Sequence, residues 1–138
     1  MRIQSSHHHA DRGLDAYFSP PEAAWSLLHI EFEKLPDVIW EPAAGDGALV
    51  IPFQKSGFKM LASDLVDYGL NGCISGLDYL TAKPMPEAKG IVTNPPYKLA
   101  VRFAEMALNG ASAKLLRVLA RQRPRGGARC GAAVCDPR

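Results

Sequence analysis

Cysteine is scarce in this chain. Three of 138 residues, Cys73, Cys130 and Cys135, cannot build a disulfide framework. Cys130 and Cys135 lie close together, but no second pair completes a zinc site. His7-His8-His9 stands alone in a polar segment, so no metal is expected. No apolar run approaches the ~20 residues that a membrane-spanning helix requires. Met1 to Asp11 is polar and has no apolar core, so no secretory signal is visible and a cytoplasmic location is expected. Neither G-x-G-x-x-G nor G-K-[ST] occurs, which argues against a dinucleotide or phosphate loop. There is no internal repeat.

What remains is ordinary globular material, 47% hydrophobic and 22% charged. The length allows one domain with a core of its own. The net charge of +2 conceals an asymmetry. Residues 1–110 hold 9 Lys and Arg against 13 Asp and Glu, and residues 111–138 hold 7 against 1. The basic stretch Arg121-Gln122-Arg123-Pro124-Arg125-Gly126-Gly127-Ala128-Arg129 has no hydrophobic period. Its Arg, Gly, Ala and Pro vocabulary is that of GC-rich DNA read out of frame. A basic arm for nucleic acid and a plain flexible terminus are the other readings. The expected organisation is a flexible segment 1–16, a domain 17–119, and a basic tail 120–138.

Within the domain, strand and helix signals alternate. Ser19-Pro20-Pro21-Glu22 predicts a capped helix start, with the helix running to about Lys34 and Trp25, Leu28 and Phe32 on one face. Val38 to Glu41 predicts a strand, followed by a helix from about Gly47 to Lys55. Met60 to Ser63 predicts a second strand, Cys73-Ile74 a short third, and Ile91 to Thr93 another. Asp78-Tyr79-Leu80 reads as a strand end or a turn. Lys98 to Asn109 predicts a helix with Val101, Ala104, Met106 and Leu108 on its apolar side, ended by Asn109-Gly110. Lys114 to Ala120 fits a strand or a helix. Such alternation implies an open α/β sheet, mostly parallel and flanked by helices.

Two strand ends carry chemistry. After the first strand comes Glu41-Pro42-Ala43-Ala44-Gly45-Asp46-Gly47. Gly45 and Gly47 permit close backbone approach and unusual φ values. Glu41 and Asp46 beside them repel a pyrophosphate and attract an ammonium or sulfonium group. Asp64 follows the second strand, 19 residues after Gly45, the offset at which an acid accepts from ribose hydroxyls. Asp67 is a rival for that role, and both can equally be loop aspartates that cap a turn. Asp78 is a candidate acceptor for an adenine amine, or a simple turn residue.

The other strand end is Asn94-Pro95-Pro96-Tyr97. An exocyclic amine on adenine is a poor nucleophile, because its lone pair is delocalised into the ring. Its two N–H groups call for two fixed acceptors, and the Asn94 side-chain oxygen and the Pro95 carbonyl can supply them. Pro95 and Pro96 stiffen the loop, which is preorganisation rather than acid–base chemistry. Tyr97 offers a flat face to a base outside its helix. The bland alternative is a proline-rich turn with a surface tyrosine.

Together these segments resemble the S-adenosylmethionine-dependent N6-adenine DNA methyltransferases, including short phage and prophage members. Glu41 to Gly47 is similar to their cofactor motif, and Asn94 to Tyr97 to their catalytic motif. Tyr17-Phe18-Ser19-Pro20-Pro21 resembles the Tyr-x-Thr-Pro element that meets the methionine end of the cofactor, with Ser19 in place of the commoner Thr. The resemblance spans residues 15 to 118. It implies S-adenosylmethionine as cofactor and cofactor roles for Tyr17, Ser19, Pro20, Glu41, Ala43, Gly45, Asp64 and Asp78. It implies catalytic roles for Asn94, Pro95, Pro96 and Tyr97, and DNA as partner. It also implies a Rossmann-like sheet of seven strands, of which this chain is expected to lack the last ones, along with a target-recognition region. Asn-Pro-Pro-Tyr also serves enzymes that methylate protein glutamine amides or RNA guanine amines. A non-catalytic methyltransferase remnant is the reading from outside the enzymes.

Overall fold

The computed structural model of the chain describes residues 18–110 and 116–118. The expectations for residues 1–16, Tyr17, the basic tail, Cys130 and Cys135 lie outside the described residues. Strands β1 (Val38–Glu41), β2 (Lys59–Asp64), β3 (Ile74–Ser75), β4 (Gly90–Thr93) and β5 (Leu116–Val118) form one sheet. Their order is β3-β2-β1-β4-β5, and every neighbouring pair is parallel. Trp40 lies opposite Leu61 on one side and Ile91 on the other. The chain leaves β1 toward β2 and β3, then returns to the opposite side with β4. The tips of β1 and β4 therefore flank the point where the strand order reverses, the place where open α/β sheets bind ligands.

A parallel sheet is buried on both faces, so its central strands read as apolar runs. All four residues of β4 are buried, as are Ile39, Trp40 and Glu41 of β1. On one face Ile39 and Val92 pack under helices α1 (Pro21–Glu31) and α2 (Val50–Lys55), meeting Ala24, Leu27, Leu28, Leu49 and Phe53. On the other face Trp40 and Ile91 meet Phe103 and Ala107 of α3 (Ala100–Asn109), with Tyr79 and Ala88 from the connection before β4. The Trp40 indole N–H donates to the Ser63 hydroxyl at 2.9 Å, which satisfies a buried donor without leaving the sheet. A small apolar cavity of about 20 Å³ belongs to this second layer, lined by residues including Trp40, Tyr79 and Met106.

Several helix expectations need correction. Pro20, not Ser19, occupies the cap position of α1, and no side chain caps that end. The buried stripe of α1 is Ala24, Leu27, Leu28 and Glu31, while Trp25 and Phe32 stay about half exposed. Small Ala24 lets the helix approach the sheet, and the bulkier aromatics remain at the rim. α2 becomes regular only at Val50, although the Ile51 amide already donates to the Gly47 carbonyl at 2.9 Å. In α3 the fully buried residues are Phe103 and Ala107, an i, i+4 pair; Ala104 and Met106 pack beside them half-buried, as expected, while Val101 and Leu108 face solvent. Gly110 ends α3 with an extended backbone rather than a left-handed one. The third strand lies at Ile74–Ser75, residues 78–80 form a turn, and the ambiguous final segment is strand β5.

Candidate functional site

The turn after β1 folds back onto the tip of β2. The Ala44 amide donates to the Ser63 carbonyl at 3.0 Å, and the Gly45 amide donates to Asp64 Oδ2 at 2.8 Å. Gly45 and Gly47 adopt φ values of 55° and 90°, which side-chain-bearing residues rarely reach. A Cβ on Gly45 would lie 2.9 Å from Cδ1 of Phe18, and one on Gly47 would lie 2.7 Å from Leu70 Cδ1. The close neighbour of Gly45 is thus the Phe18 ring, which meets Tyr68 edge-on at 5.2 Å. Phe18 stands at the unspecified position of the Tyr17 to Pro21 element, so the motif gives it no contact with a turn nearly thirty positions on.

Glu41 ends β1 and is 1% exposed. Its Oε1 accepts from the Ala43 amide at 2.9 Å. Burial pushes its pKa up to about 8; the Thr93 hydroxyl and the Ala43 and Asn94 amides pull down, and the Asp64 charge pushes up. At neutral pH Glu41 is therefore mostly protonated. Thr93 Oγ1 lies beside this carboxyl but makes no well-formed hydrogen bond. It is the sole buried side-chain polar atom without a partner among the described residues. The sequence hid Thr93 inside an apolar strand.

Asp64 sits at the end of β2, half-buried, with Oδ1 accepting from the Val66 amide at 3.0 Å and Oδ2 from Gly45. Asp78 is exposed and accepts from its own Leu80 amide at 3.0 Å. Its loop is tethered nearby, since the Leu77 amide donates to the Asp64 carbonyl at 3.1 Å. Asp46 and Asp67 are exposed and accept from the Ala48 and Gly69 amides within their own turns. Cys73 is held protonated by burial and by the charges of Asp64, Asp67 and Glu41, the opposite of an activated thiol.

At the tip of β4, Pro95 is buried, and Pro96 and Tyr97 are half-buried. Tyr97 opens a short 3₁₀ turn, Tyr97–Leu99, that leads directly into α3. Asn94 Nδ2 donates to Ser19 Oγ at 2.8 Å. This bond joins two segments 75 residues apart in sequence and explains why Ser19 does not cap α1. Ser19, Glu41, Ala43, Gly45, Asp64 and Asn94 are thus linked through the tips of β1, β2 and β4. Pro20 serves the start of α1, and Asp78 stands at the edge of the group. Among the described residues no cluster of His, Cys, Asp and Glu could hold a metal ion.

No model of a known protein family matches the chain, and no curated protein sequence matches it. Solved structures do share its fold. PH1948 from Pyrococcus horikoshii, proposed to be an RNA methyltransferase, superposes with a TM-score of 0.65 at 16% identity. That match covers 80% of this chain and 65% of the other. The 23S rRNA methyltransferase ErmE superposes with a TM-score of 0.60 at 15% identity, covering 77% of this chain and 48% of its own. The chain thus has the Rossmann-like fold of these methyltransferases and spans about half to two thirds of their lengths.

Proposed function

We propose that the chain carries the machinery for methyl transfer from S-adenosylmethionine to the N6 amine of adenine in DNA. The observation that carries this reading is the 2.8 Å bond between Asn94 and Ser19, at the reversal point of the sheet and beside the Gly45 turn. It unites two of the three segments on which the resemblance rests, and the Phe18 ring beside Ser19 lies against Gly45 of the third. The residues suit the donor molecule. Asp46 in the β1 turn and Asp64 at the end of β2 put carboxylates beside the Gly45 turn, which favours a ligand bearing ammonium and sulfonium charge.

S-adenosylmethionine would bring an already activated methyl, so the protein needs to supply position rather than a strong base. Glu41, Ala43 and Gly45 would hold its amino-acid end together with Ser19, Pro20 and Tyr17. Asp64 would accept from the ribose hydroxyls and Asp78 from the adenine amine. Asn94 Oδ1 and the Pro95 carbonyl would accept from the target amine and favour a tetrahedral nitrogen. Tyr97 would stack the target base. Residues 17–119 are the proposed extent of this domain.

RNA is the second reading, because the two solved structures described above carry RNA methyltransferase names. The test uses the full chain. Calorimetry with S-adenosylmethionine measures cofactor binding, and labelled methyl incorporation is then compared on DNA, RNA and protein. N6-methyladenine in digested DNA supports the leading reading, and label in RNA alone replaces DNA with RNA. A folded chain that binds no cofactor is a remnant, and the enzyme reading falls.

A further inference from the structure

We propose that Ser19 is a positioning residue that sets which end of the Asn94 amide faces the target, under the control of an anion bound to its own hydroxyl. The inference rests on the methyl-transfer reading of the same site and adds a coupling between donor and acceptor binding.

A primary amide has a donor end and an acceptor end. A target amine presents N–H groups, so Asn94 must show it Oδ1. The opposite orientation would set two donors against each other. In the structure Nδ2 points to Ser19 Oγ at 2.8 Å, which leaves Oδ1 for the target. A hydroxyl alone does not enforce this choice, since it can equally donate to Oδ1 if the amide turns over. The choice becomes fixed when the Ser19 proton is committed elsewhere. A carboxylate accepts and never donates. With one on Ser19, only the hydroxyl lone pairs remain for Asn94, and Nδ2 must face them. The amino-acid end of the methyl donor carries such a carboxylate. Ser19 is available for this because it takes no part in capping α1. Occupancy of the donor site would thus orient the target-binding amide through a single shared hydroxyl.

The probes are S-adenosylhomocysteine, which has the carboxylate, and 5′-methylthioadenosine, which lacks the amino-acid end. Affinity for an adenine-bearing DNA duplex, and for RNA of the same sequence, is read by fluorescence anisotropy on the full chain. For the wild type, saturating S-adenosylhomocysteine should tighten binding of the preferred nucleic acid about three- to tenfold, the worth of one hydrogen bond. 5′-Methylthioadenosine should leave it unchanged. Ser19→Ala should abolish the enhancement and lower kcat about tenfold, and Ser19→Thr, which keeps the hydroxyl, should restore both. Enhancement that survives in Ser19→Ala, or that 5′-methylthioadenosine reproduces, overturns the inference alone. A wild-type chain that binds neither S-adenosylhomocysteine nor nucleic acid overturns the methyl-transfer reading and this inference with it.

Discussion

Asn94 is half-buried at the tip of β4 and held from one side by Ser19. Truncation to alanine removes the proposed acceptor for the target amine and leaves the β1 turn, with its own bonds to Ser63 and Asp64, untouched. Asn94→Ala is therefore expected to lower methyl transfer by at least ~100-fold, the scale seen when one preorganised polar group is lost. Its Kd for S-adenosylmethionine, measured by calorimetry, should stay within a few-fold of wild type. Wild-type turnover in this variant would remove Asn94 from the mechanism. The candidate-site residues Glu41, Gly45, Asp64 and Asn94 were legible in the sequence because each ends or closely follows a short strand, where a polar residue or glycine stands out. Phe18 and Thr93 were not. The role of Phe18 depends on a contact across the fold, and Thr93 looks like any β-branched strand residue.

The turn joining β1 to α2 stands on two glycines in conformations that disfavour side chains. Gly47 is buried, its φ is 90°, and a Cβ there would press on Leu70 and Ile51. Those are ends of flexible side chains, so the backbone conformation is the larger obstacle. Gly47→Ala should cost about 1–3 kcal/mol. For a domain of this size, each 1 kcal/mol lowers Tm by about 4–8 °C, readable by thermal circular dichroism. An unchanged Tm would show that the turn relaxes freely. The existence and type of most elements were legible, because strand signals two to four residues long alternate with helical ones. The inner faces of α1 and α3 were less legible. A pattern search weights large aromatics, whereas Ala24 and Ala107 are the residues that let those helices approach the sheet, and both are almost fully buried.

Over the whole molecule, β1 and β4 form a spine with a helical layer on each side, and the two layers are separate apolar clusters. Phe53 is fully buried at the centre of the α1 and α2 layer and contacts the Phe58 ring at 5.7 Å. Phe53→Ala should destabilise the protein by about 3–5 kcal/mol, by lost transfer energy and the cavity left behind. Denaturant titration would measure it, and a loss below about 1 kcal/mol would mean that this layer contributes little. The single-sheet topology was foreseen from alternation. The strand order was not, because nothing local in β4 says that it inserts beside β1 rather than beyond β3.

The buried carboxyl at the heart of this spine makes stability depend on pH in a definite direction. Glu41 has an unfolded pKa near 4.5 and a folded pKa of about 8. Between those values the folded chain holds a proton that the unfolded chain has released. The Glu41 contribution is thus fully present below about pH 4.5, declines as pH rises, and is gone above about 8. At roughly 1.4 kcal/mol per pH unit, the decline amounts to a few kcal/mol. Asp37 and Glu87 act in the opposite sense. Lys89 and Lys59 lower their folded pKa values, so their contribution is present at higher pH and fades as pH falls into the acid range. The windows separate, and Glu41→Gln should flatten the profile between pH 5 and 8 alone. The same proton should report on ligand binding. A cationic methyl donor near Glu41 favours the carboxylate, so binding at pH 7 should release part of a proton and tighten as pH rises toward 8. Calorimetry in buffers of different ionisation enthalpy reads that release directly. In Glu41→Gln it should vanish, and equal release in the variant would assign the proton to another group.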